Sequence, residues 1–281
     1  MGILLVAAAG ILWGSLGPAA RVGLDHGMPA LEISFYRGCV AALCFLVHAR
    51  WRGSLRIARA DWPAVLGFAF LGVTALYVSY FQAVRTGGAT LAAVLLYTAP
   101  AWVALFSVLW LAERMTARKL VALALTLGGV AMVVTSGGGT VAITPVAVLW
   151  GLVSGFSYAL FYLFGKRYFL RYDPVVLFAW AIPIGMLPLL ALIDPQPRPA
   201  PAWGAVVFLG LVPTYLAYLL YAHGLMRLDA TRTAVVATIE PVVAALLGFA
   251  IFGEALGLQG YAGAGLVLTG VVINEARSGR I

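Results

Sequence analysis

Charge is what this sequence has least of. Ten acidic and 18 basic side chains serve 281 residues, 10% of the chain, where a water-soluble domain carries about a quarter. A content of 63% hydrophobic residues and a mean hydropathy of +1.00 exclude an ordinary soluble globule, which could not hide so much apolar surface. Histidine and cysteine are nearly missing too. His26, His48 and His223 are scattered and make neither a metal cluster nor a catalytic centre, and the acidic residues are mostly single, so an integral-membrane enzyme is a remote alternative. Cys39 and Cys44 lie five apart in one apolar run, point in different directions on a helix, and give no disulfide framework. No metal or cofactor is expected. There is no Walker loop to bind ATP, and no filter segment of the kind a channel needs.

What is abundant is apolar length. A membrane-crossing helix needs about 20 mostly apolar residues, and ten segments qualify: Ile3 to Val22, Pro29 to His48, Trp62 to Val84, Ala89 to Leu111, Ala117 to Ser136, Pro145 to Phe164, Pro174 to Ile193, Trp203 to Leu225, Ala230 to Phe252 and Leu256 to Asn274. Pro18-Ala19-Ala20 resembles a signal-peptide cleavage site, but no basic residue precedes the first run, so it is read as a span. The 32 glycines and 14 prolines suit membrane helices, where both are more frequent. Short connections leave no room for a separate soluble domain.

The net charge of +8 is not a nucleic-acid footprint, because the basic residues sit in short gaps between apolar runs. They report topology instead. With the N-terminus cytoplasmic, the cytoplasmic connections hold Arg50, Arg52, Arg56, Arg59, Arg114, Arg118, Lys119, Lys166, Arg167, Arg171, Arg227, Arg232, Arg277 and Arg280, against Arg21, Arg85 and Arg198 outside. Both termini are therefore expected in the cytoplasm.

A shift of 141 residues superposes Trp62 on Trp203, Tyr77 on Tyr218, Tyr80 on Tyr221, Thr90 on Thr231, Pro100 on Pro241 and Glu113 on Glu254, and Leu12-Trp13-Gly14 returns as Leu149-Trp150-Gly151. Matches at Trp, Tyr, Pro and Glu in one register indicate an internal repeat. The expected fold is an all-α membrane protein of ten transmembrane helices in two five-helix repeats, residues 1–137 and 138–281, forming one transmembrane domain. Because five is odd, the second repeat enters the membrane in the opposite sense. Inverted repeats are an architecture of secondary transporters, with the solute site near mid-membrane between the halves.

Ten spans in two halves, a Trp-Gly pair opening each half, Pro100 with Glu113, Pro241 with Glu254, and Phe35-Tyr36-Arg37-Gly38 together resemble the drug/metabolite transporter superfamily, and within it the EamA-type exporters. The resemblance implies a multi-pass exporter of small metabolites in a bacterial inner membrane, working as a monomer or homodimer. The aromatic amino-acid exporters are nearest in character. The superfamily also implies drugs, nucleotide sugars and sugar phosphates as alternative solutes.

Ionisable residues deep in apolar spans are costly and mark function. Arg37, eight residues into the second span, and Glu240, ten residues into the ninth, stand out. Each also fits a purely structural pair. Glu240 has Ala99 as its counterpart in the first half, an asymmetric addition to a symmetric frame. Pro100 and Pro241 remove a backbone hydrogen bond in mid-span and are read as hinges. Trp13, Tyr77, Tyr80, Tyr97, Trp102, Trp150, Tyr158, Trp180, Tyr215 and Tyr218 are the aromatic lining expected of a cavity for an amino acid, with ordinary helix packing as the alternative for each. Glu240 and His223 are the candidates for proton coupling.

Overall fold

The computed structural model describes residues 1–136, 143–253 and 257–275. Its helices group into ten rods: α1 (Gly2–Asp25), α2 (Ala30–Trp51), α3 (Arg59–Gly87), α4 (Ala89–Trp110), α5 (Ala117–Ser136), α6 (Pro145–Tyr168), α7 (Pro174–Leu192), α8 (Ala200–Leu225), α9 (Ala230–Phe252) and α10 (Leu258–Glu275). No strand occurs among the described residues. The first nine are long and apolar enough to cross a membrane. The tenth has 18 residues, about 27 Å of helix, close to the roughly 30 Å hydrocarbon thickness. The sequence-based limits fall within a few residues of these, with α1 running on to Asp25 and α3 starting at Arg59.

The packing is reciprocal. α1 lies against α8 and α9, while α6 lies against α3 and α4; α2 packs on α7, and α5 on α10. Each pairing thus joins one five-helix set to the other, and the first helix of each set is wedged between the third and fourth of its counterpart. Small residues permit this closeness. A Cβ on Gly129 of α5 would sit 2.6 Å from the Gly263 carbonyl oxygen of α10, and a Cβ on Gly263 would sit 2.6 Å from the Gly129 carbonyl, so the two backbones touch where only glycine fits.

The rods are not uniform. α3 and α8 each contain a widened turn with π geometry, at Phe68–Thr74 and Leu211–Leu216. In each, a threonine hydroxyl reaches back five residues to a carbonyl: Thr74 to Ala69 at 3.3 Å and Thr214 to Leu209 at 2.7 Å. Thr74 also donates to the Gly185 carbonyl of α7 at 2.6 Å. Such bulges cluster at functional sites.

Candidate functional site

α4 and α9 are broken in mid-span, and the prolines show why. The helix Ala89–Leu96 stops, and a second starts at Ala99 with Thr98 as its N-cap and Pro100 in its first turn. In α9, Ala230–Ala237 stops and Ile239–Phe252 starts from Thr238, with Pro241 in the first turn. At both breaks the threonine hydroxyl donates to the carbonyl three residues back, Leu95 or Val235, at 2.6 Å. A proline in a first turn has no amide to lose there, since those amides lack intrahelical partners in any case. The expected kink is therefore a full interruption. Such broken helices, with half-helix N-termini at mid-membrane, are the form solute sites take in transporters.

Glu240 occupies the first turn of the second half of α9. There the aligned peptide dipoles present their positive end, which favours a carboxylate. The Tyr158 hydroxyl donates to its Oε2 at 3.4 Å, and the Tyr97 hydroxyl is also within hydrogen-bond reach. Tyr80 and Tyr162 stand close enough to feel its charge. α3, α4, α6 and α9 thus each bring a side chain to one carboxylate.

Arg37 projects from α2 onto α3 and α8. Its Nη2 donates to the Tyr77 hydroxyl at 2.9 Å and its Nη1 to Thr214 Oγ1 at 3.3 Å, while its guanidinium carbon lies 5.4 Å from the centre of the Tyr77 ring. The acceptor hydroxyl of Thr214 belongs to the widened turn of α8, so that distortion serves to aim it. Among the described residues neither Arg37 nor Glu240 is in an ion pair. Both side chains are half-buried. Two opposite charges thus stand inside apolar spans with no ion-pair partner among the described residues, Arg37 held by two hydroxyls and the Tyr77 ring, Glu240 by tyrosine hydroxyls and a helix N-terminus.

The aromatic candidates divide. Trp13 packs edge-on against Tyr218 at 6.1 Å and tilts on Tyr221 at 5.6 Å, and Tyr158 meets Tyr162 at 5.7 Å. Tyr77 and Tyr158 bond the two charges and Tyr97 lies within reach of Glu240, whereas Trp13 and Tyr221 meet other rings. Trp102 does not join them, since it stacks on Phe106 and Phe156 between α4 and α6. Trp180 donates its indole N–H to the Leu55 carbonyl at 2.9 Å and meets Trp62, and the Tyr215 hydroxyl bonds His48 Nδ1 at 2.7 Å. Their partners lie at the end of α2 and in the connection after it. Trp150 is half-buried in α6, two turns before Tyr158. His223 bonds the Leu219 carbonyl one turn back at 2.8 Å and accepts from Arg227 at its own carbonyl, which makes it a helix-end residue away from Glu240. Tyr162 and Tyr221 were missed by the sequence reading. Tyr221 equals Tyr80 in the repeat and was the available signal.

Glu113 has a different task from the site. Its carboxylate accepts from the Ala230 amide at 2.7 Å and the Thr231 hydroxyl at 2.9 Å, capping α9. Its partner in the motif, Glu254, lies outside the described residues.

The EamA-like transporter family pattern matches this chain twice, over residues 1–135 and 145–275. A transporter of Archaeoglobus fulgidus with no assigned solute is 29% identical over 271 residues, covering 95% of this chain and 94% of its own. The inner membrane transporter YicL of Salmonella typhimurium is 24% identical, with 99% and 96% covered. A protein of Streptantibioticus cattleyicolor described as a probable terminal-alkyne amino-acid exporter is 28% identical, with 95% and 91% covered. A solved crystal structure of 21% identity superposes with a TM-score of 0.85 over 98% of this chain and 96% of its own, a likeness of fold.

Proposed function

The chain belongs to the EamA-like transporter family, whose members named here are transporters and not enzymes, and on that premise we propose that it exports amino acids, aromatic ones included, by alternating access. One observation carries the reading: Arg37 and Glu240 are opposite charges at membrane depth whose hydrogen-bond partners are neutral hydroxyls. A zwitterion supplies both missing partners at once, its carboxylate facing Arg37 and its ammonium facing Glu240. Tyr77, Tyr80, Tyr97, Tyr158 and Tyr218 form the wall for its side chain. A cationic drug would use Glu240 and leave Arg37 uncompensated, and a sugar phosphate would do the reverse.

The two matches to one family pattern, the reciprocal packing and the paired helix breaks support two five-helix repeats, residues 1–137 and 138–281, threaded in opposite senses. They rock about the mid-span breaks beside Pro100 and Pro241. The distribution of Arg and Lys supports both termini in the cytoplasm of a bacterial cell, and the description of YicL supports the inner membrane. Glu240 is also the carboxylate that a counter-transported proton would occupy.

Efflux from proteoliposomes loaded in turn with amino acids, sugar phosphates and cationic dyes tests the reading. Amino acids should leave fastest, aromatic ones ahead of aliphatic ones. Export of dyes or sugar phosphates without amino acids would overturn it.

A further inference from the structure

A polar cavity of about 640 Å³ opens where α4 and α6 end and α5 and α9 begin, its wall including Glu113, Arg114, Arg118, Lys119, Lys166, Asp229 and Arg232. It is remote from Glu240, which lies ten residues further along α9 than the helix start forming this wall. Five cations face two carboxylates, and both carboxylates are already engaged. Asp229 holds Lys119 Nζ at 3.0 Å, and Glu113 caps α9 while standing 3.9 Å from the same ammonium. Arg232 pairs with Glu275 beyond the wall.

Lys166 shows the imbalance most directly. Its ammonium is held by two backbone carbonyls, Leu228 at 2.7 Å and Leu225 at 3.3 Å, at the end of α8, and no carboxylate among the described residues pairs with it. Carbonyls orient a cation without neutralising it. Lys166 therefore leaves a positive charge unneutralised in a concave space at the level where the helices end. In the orientation proposed above this is the cytoplasmic face, whose leaflet carries the anionic lipids.

We propose that this cavity binds a phosphate group, carried either by an anionic phospholipid headgroup or by a free phosphate. Cations converging from three helices and the α4–α5 connection suit the delocalised charge of phosphate oxygens, and basic pockets between membrane helices on the cytoplasmic side take phospholipid headgroups. Occupancy would tie the α4–α5 connection to the starts of α5 and α9, and so stiffen that end of the molecule.

The experiment is a titration of the purified full chain in detergent, followed by tryptophan fluorescence, since exposed Trp110 directly precedes Leu111 of the cavity wall, and by thermal unfolding. Dioleoylphosphatidylglycerol and inorganic phosphate are the probes, with dioleoylphosphatidylcholine and chloride as their matched controls. Saturable binding of the first probe alone identifies a lipid headgroup, and saturation with phosphate identifies the free ion. Either should weaken about fivefold for each charge removed by Arg114→Gln or Lys166→Gln, and also as ionic strength rises. Arg85→Gln, on an exposed residue near the opposite end, should leave it unchanged. Arg114 is exposed on a connection, so its variant tests the site even if Lys166→Gln fails to fold. No saturation with either probe, or wild-type affinity in Arg114→Gln, would overturn the proposal.

Discussion

A carboxylate at membrane depth needs compensation, and Glu240 receives it from a half-helix N-terminus and from tyrosine hydroxyls. Hydrogen bonds to a charged group contribute about 1.5–3 kcal/mol. Glu240→Gln keeps the shape and removes the charge, so transport should fall roughly tenfold or more while thermal unfolding stays within about 2–4 °C of wild type; equal loss of both in reconstituted protein would make Glu240 a structural residue only. Tyr80 and Trp102 separate wall from packing. Tyr80→Ala should slow aromatic solutes more than aliphatic ones, whereas Trp102→Ala should lower the melting temperature and leave the preference among solutes intact. Both charges were legible in the sequence because an ionisable side chain in an apolar run is an anomaly that demands a reason. The aromatic wall was only partly legible. Trp102, Trp180 and Tyr215 have the same apolar neighbours in sequence as Tyr80 or Tyr158, and which way a ring faces is decided by tertiary packing.

At the scale of the helix, the breaks in α4 and α9 could be located from Pro100 and Pro241 but not described. A proline forbids one hydrogen bond, and whether the helix bends or stops depends on the residues before it. Here Thr98 and Thr238 turn back on their own preceding turns and the helix restarts. The widened turn of α8 had a sequence signal in Pro213, which lacks the amide a regular turn needs, whereas that of α3 had none, and in both a threonine hydroxyl bonds the carbonyl five residues back. Contact between α5 and α10 gives the sharpest prediction at this scale. Gly129→Val places a side chain where the Gly263 carbonyl already lies, and should cost about 1–3 kcal/mol or more, read as a lower melting temperature in detergent. Gly128→Ala, one residue away in open space, should be neutral or mildly stabilising. Equal tolerance of both would mean that α5 and α10 do not touch as described.

At the scale of the molecule, the all-helical membrane fold followed from apolar length, and the proposal of two matched halves rests on Trp, Tyr, Pro and Glu recurring in one register. The cross-packing, α1 into the second set and α6 into the first, did not follow from either, because a repeat in sequence says nothing of which copy a helix leans on. Contacts between the two sets bring Tyr97 of α4 to Glu240 of α9 and Arg37 of α2 to Thr214 of α8, which is the arrangement a site shared between the halves requires. Reporter fusions at the N- and C-termini should both read cytoplasmic, and opposite readings would remove the inverted threading on which a shared site depends.

The central claim is that Arg37 and Glu240 hold the two ends of one zwitterion. Its most direct test is competition for export in proteoliposomes among an aromatic amino acid, the amine formed by removing its carboxylate, and the acid formed by removing its amino group. The amino acid should compete best by roughly tenfold or more; Arg37→Gln should abolish its advantage over the amine, and Glu240→Gln its advantage over the acid. Equal competition by all three in the wild-type protein would contradict the account.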